Sequence, residues 1–205
     1  MFDKPIVMID FETTGMSPAN GDRITEVAAL RIAEGRVVER FVTLVNCGVQ
    51  VPWFITQLTG ITQAMVDEAP HVSTVMPELV DFIGSDPLAA HNAGFDEKFL
   101  LAESARCELV PRHENMICSL KLARRLFPGL PSYSLSKLCA SLGIRFKGTA
   151  HRAEADAEVS AELLLHIGAH LAERSGKAQV EAALLAHINR LNAARVPRYL
   201  ETAFH

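Results

Sequence analysis

The sequence predicts an α/β fold built on a mixed β-sheet flanked by helices. Three observations predict it. Apolar runs of strand length come first, strand and helix then alternate, and a long amphipathic helix follows. Of the 205 residues, 49% are hydrophobic, enough for one full core and too many for a disordered chain.

Ile6-Val7-Met8-Ile9 is an uninterrupted apolar run, the profile of a buried central strand. Residues 23–33 and 36–45 read as two further strands, and Glu34-Gly35 between them marks a hairpin turn. Residues 52–67 hold short helical turns around Thr59-Gly60-Ile61-Thr62. From 72 to 83, Val72, Val75, Met76, Leu79, Val80 and Ile83 recur on one helical face. Pro87-Leu88-Ala89-Ala90 reads as a fourth strand, and 95–107 as the helix after it. Two shorter helices follow over 118–127 and 134–142, the first stopped by Pro128-Gly129. Residues 153–174 form a long amphipathic helix ending at Gly176, and 178–195 a last helix stopped by Pro197. Ser175-Gly176-Lys177 is the candidate boundary, dividing a core over 1–175 from a helical extension over 176–205.

Composition narrows the function classes. A net charge of −4 and a pI near 6.1 argue against a protein that coats DNA broadly. Cys47, Cys107, Cys118 and Cys139 form no C-x-x-C pair, which argues against a zinc ribbon or redox motif. Reduced thiols in a cytoplasmic protein are expected. No signal peptide and no membrane-spanning run is visible.

Three acidic pieces carry the chemistry. Asp10 and Glu12 stand two apart at the end of an apolar strand, so both carboxylates face the same side. Adjacent acids repel unless a cation sits between them, and oxygen-only ligands suit Mg²⁺ or Mn²⁺. For the pair alone, solvated acids at a strand-end turn are an equal reading. Asp96 opens a helix after the Pro87–Ala90 strand, which brings it to the sheet edge where α/β proteins collect their sites. His151 and Asp156 are five apart. They share a site only if His151 lies on the loop before the helix, and Gly148-Thr149 provides for such a loop.

Together these pieces resemble the DEDDh 3′–5′ exonucleases, a family with a ribonuclease H-like fold. The D-x-E-T-T-G motif matches Asp10 to Gly15, H-N-x-x-F-D matches His91 to Asp96, and H-x-A-x-x-D matches His151 to Asp156. Asp22 to Glu26 and Leu58 to Thr62 add weaker matches, and the resemblance covers about residues 5–172. It implies release of nucleoside monophosphates from a DNA or RNA 3′ end. By resemblance, Asp10, Glu12, Asp96 and Asp156 cage two Mg²⁺ or Mn²⁺ ions, with Asp10 bridging. His151 is the implied general base, a role suited to imidazole's titration near neutral pH. Thr13, Thr14 and Gly15 are expected against the terminal nucleotide, with Gly15 permitting close approach. Met16 and Leu58 are expected to pack on the last bases, and Asn92 and Phe95 to help hold the 3′ end; core packing is an equal reading for the apolar ones. Glu26 stays outside the metal set, as a supporting or merely polar strand residue.

From Arg106 through Arg152 there are nine Lys and Arg against Glu108 and Glu114, a local basic wall suited to a phosphate backbone. Trp53 reads as packing. His166 and His170, four apart on a helix, have no third ligand in view. Leu184, Ile188 and Leu191 form a stripe that docks on the domain or on another chain. The expected partner is a frayed or single-stranded 3′ end; a homodimer or a polymerase partner is left open. The family's proofreading subunits carry a clamp-binding stretch and a tail after the core. No such stretch stands out here, which favours a stand-alone enzyme over a proofreading subunit, with a non-catalytic end-binding module as the alternative class.

Overall fold

The computed structural model describes residues 1–145 and 151–204. Five strands form one sheet in the order β3-β2-β1-β4-β5. The central strand β1 (Ile6–Thr13) runs antiparallel to β2 (Ile24–Ala33), which pairs antiparallel with β3 (Arg36–Leu44). On its other side β1 is parallel to β4 (Leu88–Ala90), and β4 to β5 (Met116–Cys118). The sheet is therefore mixed, as the alternation of elements predicts.

Alternation along β1 sorts its side chains between two cores. Val7, Ile9 and Phe11 pack under α3 (Val72–Ile83) and α4 (Gly94–Arg106). Ile6 and Met8 face the other layer, made of α5 (Ser119–Leu126), α6 (Leu135–Ser141) and α7 (Ala153–Ser175), the last ended by left-handed Gly176. Asp10 and Glu12 continue the row of Ile6 and Met8, so both acids point toward α7. Ahead of these layers, α1 (Trp53–Thr59) and α2 (Gln63–Asp67) cover a small separate core of Cys47, Ile61 and Val66.

The C-terminal segment differs from the expected single helix. It forms α8 (Ala182–Arg190), a 3₁₀ turn and α9 (Val196–Ala203). Pro197 lies in the first turn of α9, where its missing N–H is no loss, so it starts a helix rather than stopping one. The stripe docks on the chain's own domain: Ile188 is buried in the α7-side core, and Leu184 and Leu191 pack against it. The Asn189 amide closes the open edge of β5, accepting from Cys118 N at 2.6 Å and donating to Cys118 O at 3.1 Å. Phe2 bridges to Val180, and its ring lies against Gly168, where an added Cβ would come within 2.8 Å. β5 was not foreseen: it runs into α5 without a break, and its last residue, Cys118, begins the segment read as helix. Among the described residues no helix is long and apolar enough to cross a membrane.

Candidate active site

The acids meet where β1 leaves the core and α7 begins. The strand keeps its pairing through Glu12, which stands opposite Glu26 on β2, and a register shift follows between Glu12 and Thr13. Asp156 lies in the first turn of α7, and its Oδ2 accepts the His151 N–H at 2.9 Å. One carboxylate oxygen each of Asp10, Glu12 and Asp156 falls within 4.8 Å of the others. His151 is exposed and lies on the loop ahead of α7, with left-handed backbone at φ 63°. The Gly148-Thr149 stretch invoked for that loop is outside the described residues.

Asp96 reaches the same strand end from the opposite layer. It is the third residue of α4, nearly fully buried, and its Oδ1 accepts the Phe11 N–H at 3.2 Å. That bond ties α4 to the peptide between Asp10 and Glu12. Asp96 is not one of the three acids within 4.8 Å, although its charge is the first of the neighbouring charges that, after burial, raise Asp10.

The electrostatics call for cations. Asp10 is pushed well above the usual carboxylate range, first by burial and then by the charges of Asp96, Asp156, Glu12 and Glu26. Glu12 is pushed up to about 8, by burial and then by Asp156, Glu26 and Asp96, with Arg152 opposing. Asp96 rises to about 8 through burial, against the bond from Phe11. Burial also raises Asp156, while the His151 N–H and charge oppose it. An all-oxygen donor set with this surplus of negative charge fits hard divalent cations.

A cleft of about 480 Å³ opens beside the acids, lined by Asp10, Met16, His91, Asn92, Ser134, Leu135, Ser136, His151 and Asp156. His91 builds one wall. Its Nε2 donates to the Tyr133 carbonyl at 3.1 Å, so Nδ1 is free to accept from Ser119 Oγ at 3.0 Å. Burial lowers its pKa, which keeps the ring neutral in this bridge. The Ser134–Ser136 rim carried no motif and was not foreseen. His91 belonged to a motif, yet its role is visible only once Tyr133 is in place.

The other expected contacts divide. Met16 is 73% exposed and Leu58 52% exposed, so neither is core. Asn92 is exposed, lines the cleft and has φ 69°. Phe95 packs at a tilt against Phe99, with ring centroids 5.1 Å apart, and the Lys98 ammonium lies over both rings. Thr13 and Thr14 are buried, and their hydroxyls are used within the loop: Thr13 Oγ1 donates to Gly15 O at 2.6 Å, and Thr14 Oγ1 accepts from Arg23 N at 3.0 Å. Gly15 has a local reason to be glycine. An added Cβ would stand 2.5 Å from the Asp22 carboxylate, which accepts the Ser17 N–H. Trp53 is not packing: it is 76% exposed beside exposed Phe54. His166 and His170 lie against Phe127, and among the described residues neither joins a group of metal-ligating side chains.

The basic wall is thinner than its count suggests. Arg152 is held by Glu26, Arg106 by Glu103, and Arg125 donates to the Leu191 carbonyl, while Arg124 lies over Tyr133. Arg112, Lys121, Lys137 and Arg145 are exposed, and Lys147 is outside the described residues.

Comparison with known proteins decides the family. Residues 7–164 match the family described as Exonuclease, a span that holds all three acidic motifs. The chain belongs to the exonuclease family. Its structural neighbours are DEDDh exonucleases. The epsilon subunit of DNA polymerase III from Aquifex aeolicus is 35% identical over 167 residues, 82% of each chain. The PolC-type DNA polymerase III of Clostridium perfringens is 38% identical over 164 residues, 80% of this chain, but this chain spans only 11% of that protein. The structure of exonuclease X with 5′-overhanging duplex DNA superposes at TM-score 0.69 and 30% identity, covering 90% of this chain and 99% of that one. DEDDh exonucleases use divalent metal ions, and the cluster of Asp10, Glu12 and Asp156 could hold one.

Proposed function

We propose that this protein is a two-metal-dependent 3′–5′ exonuclease that releases nucleoside monophosphates from the 3′ end of DNA or RNA. The observation that carries the reading is the convergence of Asp10, Glu12 and Asp156 within 4.8 Å, with buried Asp96 bonded to the strand between the first two. Asp10, Glu12, Asp96 and Asp156 hold Mg²⁺ or Mn²⁺. Such ions supply a water nucleophile at neutral pH and relieve charge on the leaving oxygen. His151, exposed at the cleft mouth, takes the proton from the attacking water. Met16 and Leu58 offer exposed apolar surface to the terminal bases. The exposed lysines and arginines between 112 and 145 attract the phosphate backbone.

The test is degradation of 5′-labelled single-stranded DNA, single-stranded RNA, duplex and 3′-mismatched duplex, with Mg²⁺ or Mn²⁺ and with Asp10→Ala as control. A ladder shortening from the 3′ end, lost in the variant, is the expected result. Binding of 3′ ends without cleavage under either metal would overturn it in favour of an end-binding module. The preferred substrate separates a proofreading or repair role from RNA trimming.

A further inference from the structure

We infer that Glu26 is a positioning residue for this reaction: it docks the start of α7 on the sheet and so places His151 and Asp156 against Asp10 and Glu12. The inference rests on the proposed exonuclease reading. Glu26 is a buried carboxylate on β2, opposite Glu12 in register. A buried acid needs partners, and among the described residues the hydrogen-bond donors to Glu26 come from one place. Arg152 Nη2 donates to Oε1 at 2.5 Å, and Arg152 Nε reaches both oxygens at 3.1–3.2 Å. Oε2 also accepts the Ala153 N–H at 2.9 Å.

That last bond stands in for a helix cap. Ala153 is the first residue of α7, its N–H has no partner within the helix, and Arg152 at the N-cap makes no side-chain cap bond. A strand residue more than a hundred positions away therefore supplies the cap. The two docked residues sit inside the third motif. His151 immediately precedes Arg152, and Asp156 lies one turn beyond Ala153, tied back to the His151 N–H at 2.9 Å. His151 holds left-handed backbone at φ 63° directly before the anchored Arg152. Glu26 fixes that anchor relative to β1, because β2 is paired with β1 along its length.

Glu26→Gln keeps the shape and one acceptor but loses the ion pair; Glu26→Ala loses the cap as well. With the preferred oligonucleotide, kcat is expected to fall about tenfold in Glu26→Gln and about a hundredfold in Glu26→Ala, the scale of a misplacement near 1 Å. KM stays within about threefold, because the exposed substrate surface is untouched. In metal-free protein, hydrogen exchange at the Ala153 and His151 amides accelerates in Glu26→Ala, with amides of β1 unchanged. Arg152→Met reproduces the kcat loss of Glu26→Gln. A kcat within twofold of wild type in folded Glu26→Gln overturns the inference. So does a loss that merely tracks the unfolded fraction. Should Glu26→Ala fail to fold, Glu26→Gln alone decides by the same criteria. Failure of the exonuclease reading is separate: it appears as an inactive wild type, while the exchange result still reports whether Glu26 docks α7.

Discussion

Glu103 is the most consequential buried charge outside the acidic cluster, and its removal tests how the α4 layer is locked to the loop after β1. Its side chain is fully buried on α4. Oε1 accepts Arg23 Nε at 2.6 Å and Oε2 accepts Arg23 Nη2 at 2.9 Å, a fork-to-fork pair, and Arg106 Nη1 adds a bond at 3.2 Å. Arg23 in turn brackets Thr14 through backbone bonds at 2.8 and 3.0 Å. Glu103→Ala leaves the Arg23 guanidinium, only 18% exposed, without its acceptor. Breaking a buried pair in this way costs about 3–5 kcal/mol. The residual exposure of Arg23 lets water reach it, so the lower end, about 3 kcal/mol, applies. For a domain of this size 1 kcal/mol moves Tm by roughly 2–4 °C, giving a drop of about 6–12 °C in thermal unfolding followed by circular dichroism. The double variant Arg23→Met with Glu103→Leu removes both charges, and most of the lost stability should return. A single variant that melts within about 2 °C of wild type would refute the locking role. A double variant as unstable as the single one would show that lost packing, not the unpaired charge, sets the effect.

Four other outcomes follow from the site. Glu12 and Asp96 are raised to about 8, so the folded protein holds protons that the unfolded chain has released; this stability is complete below about pH 4 and is lost as pH rises toward 8. Metal-free Tm should therefore fall between pH 5 and 8, and Mn²⁺ at a hundredfold over Kd should raise it by roughly 5–11 °C at pH 8; a flat metal-free profile contradicts the assignment. Asp10→Asn removes one of the mutually repelling charges, so at pH 8 without metal it should melt above wild type while cleavage falls by about 10³-fold or more; a lower metal-free Tm speaks against the repulsion. Gly15→Ala forces its Cβ onto Asp22 and should cost about 1–3 kcal/mol in urea unfolding, most of it regained with Asp22→Ala; strictly additive losses rule out the clash. His151→Ala should lower kcat by about 10²–10⁴-fold near neutral pH, and a loss under tenfold removes it from the base role.

What could be read in advance depended on range along the chain. Asp10 and Glu12 were legible as neighbours because the period of a strand is two, and Val72 to Ile83 because six apolar residues keep helical spacing. β5 was hidden because it runs into α5 without a break, so Cys118 reads as helix; its order comes from β4 on one side and the Asn189 amide on the other. The pairs Arg23–Glu103 and Glu26–Arg152 were hidden for a different reason. Their partners are 80 and 126 positions apart, and neither has a local pattern that names the other. Trp53 was misjudged by residue type, since a lone tryptophan is more often packed than offered to solvent.

The same contrast explains how the acidic centre is built. Asp10, Glu12, Asp96 and Asp156 repel one another, so nothing in their mutual interaction draws them together in the absence of cations. Their positions must be imposed from outside. β1 is fixed by pairing with β2 and β4. α4 is fixed by the Asp96 bond to Phe11 N and the Glu103 bridge to Arg23. The start of α7 is fixed by Glu26. Each element that bears one of these acids is thus held by bonds outside the acid–acid contacts. Glu26 carries a further charge toward the centre, but spends it on Arg152, a cation that lowers Glu12. That pairing holds the start of α7 on the sheet and offsets part of the repulsion at Glu12. The acids are therefore held together without cations, by strand pairing, by the Asp96 bond to Phe11 and by the ion pairs of Glu103 and Glu26.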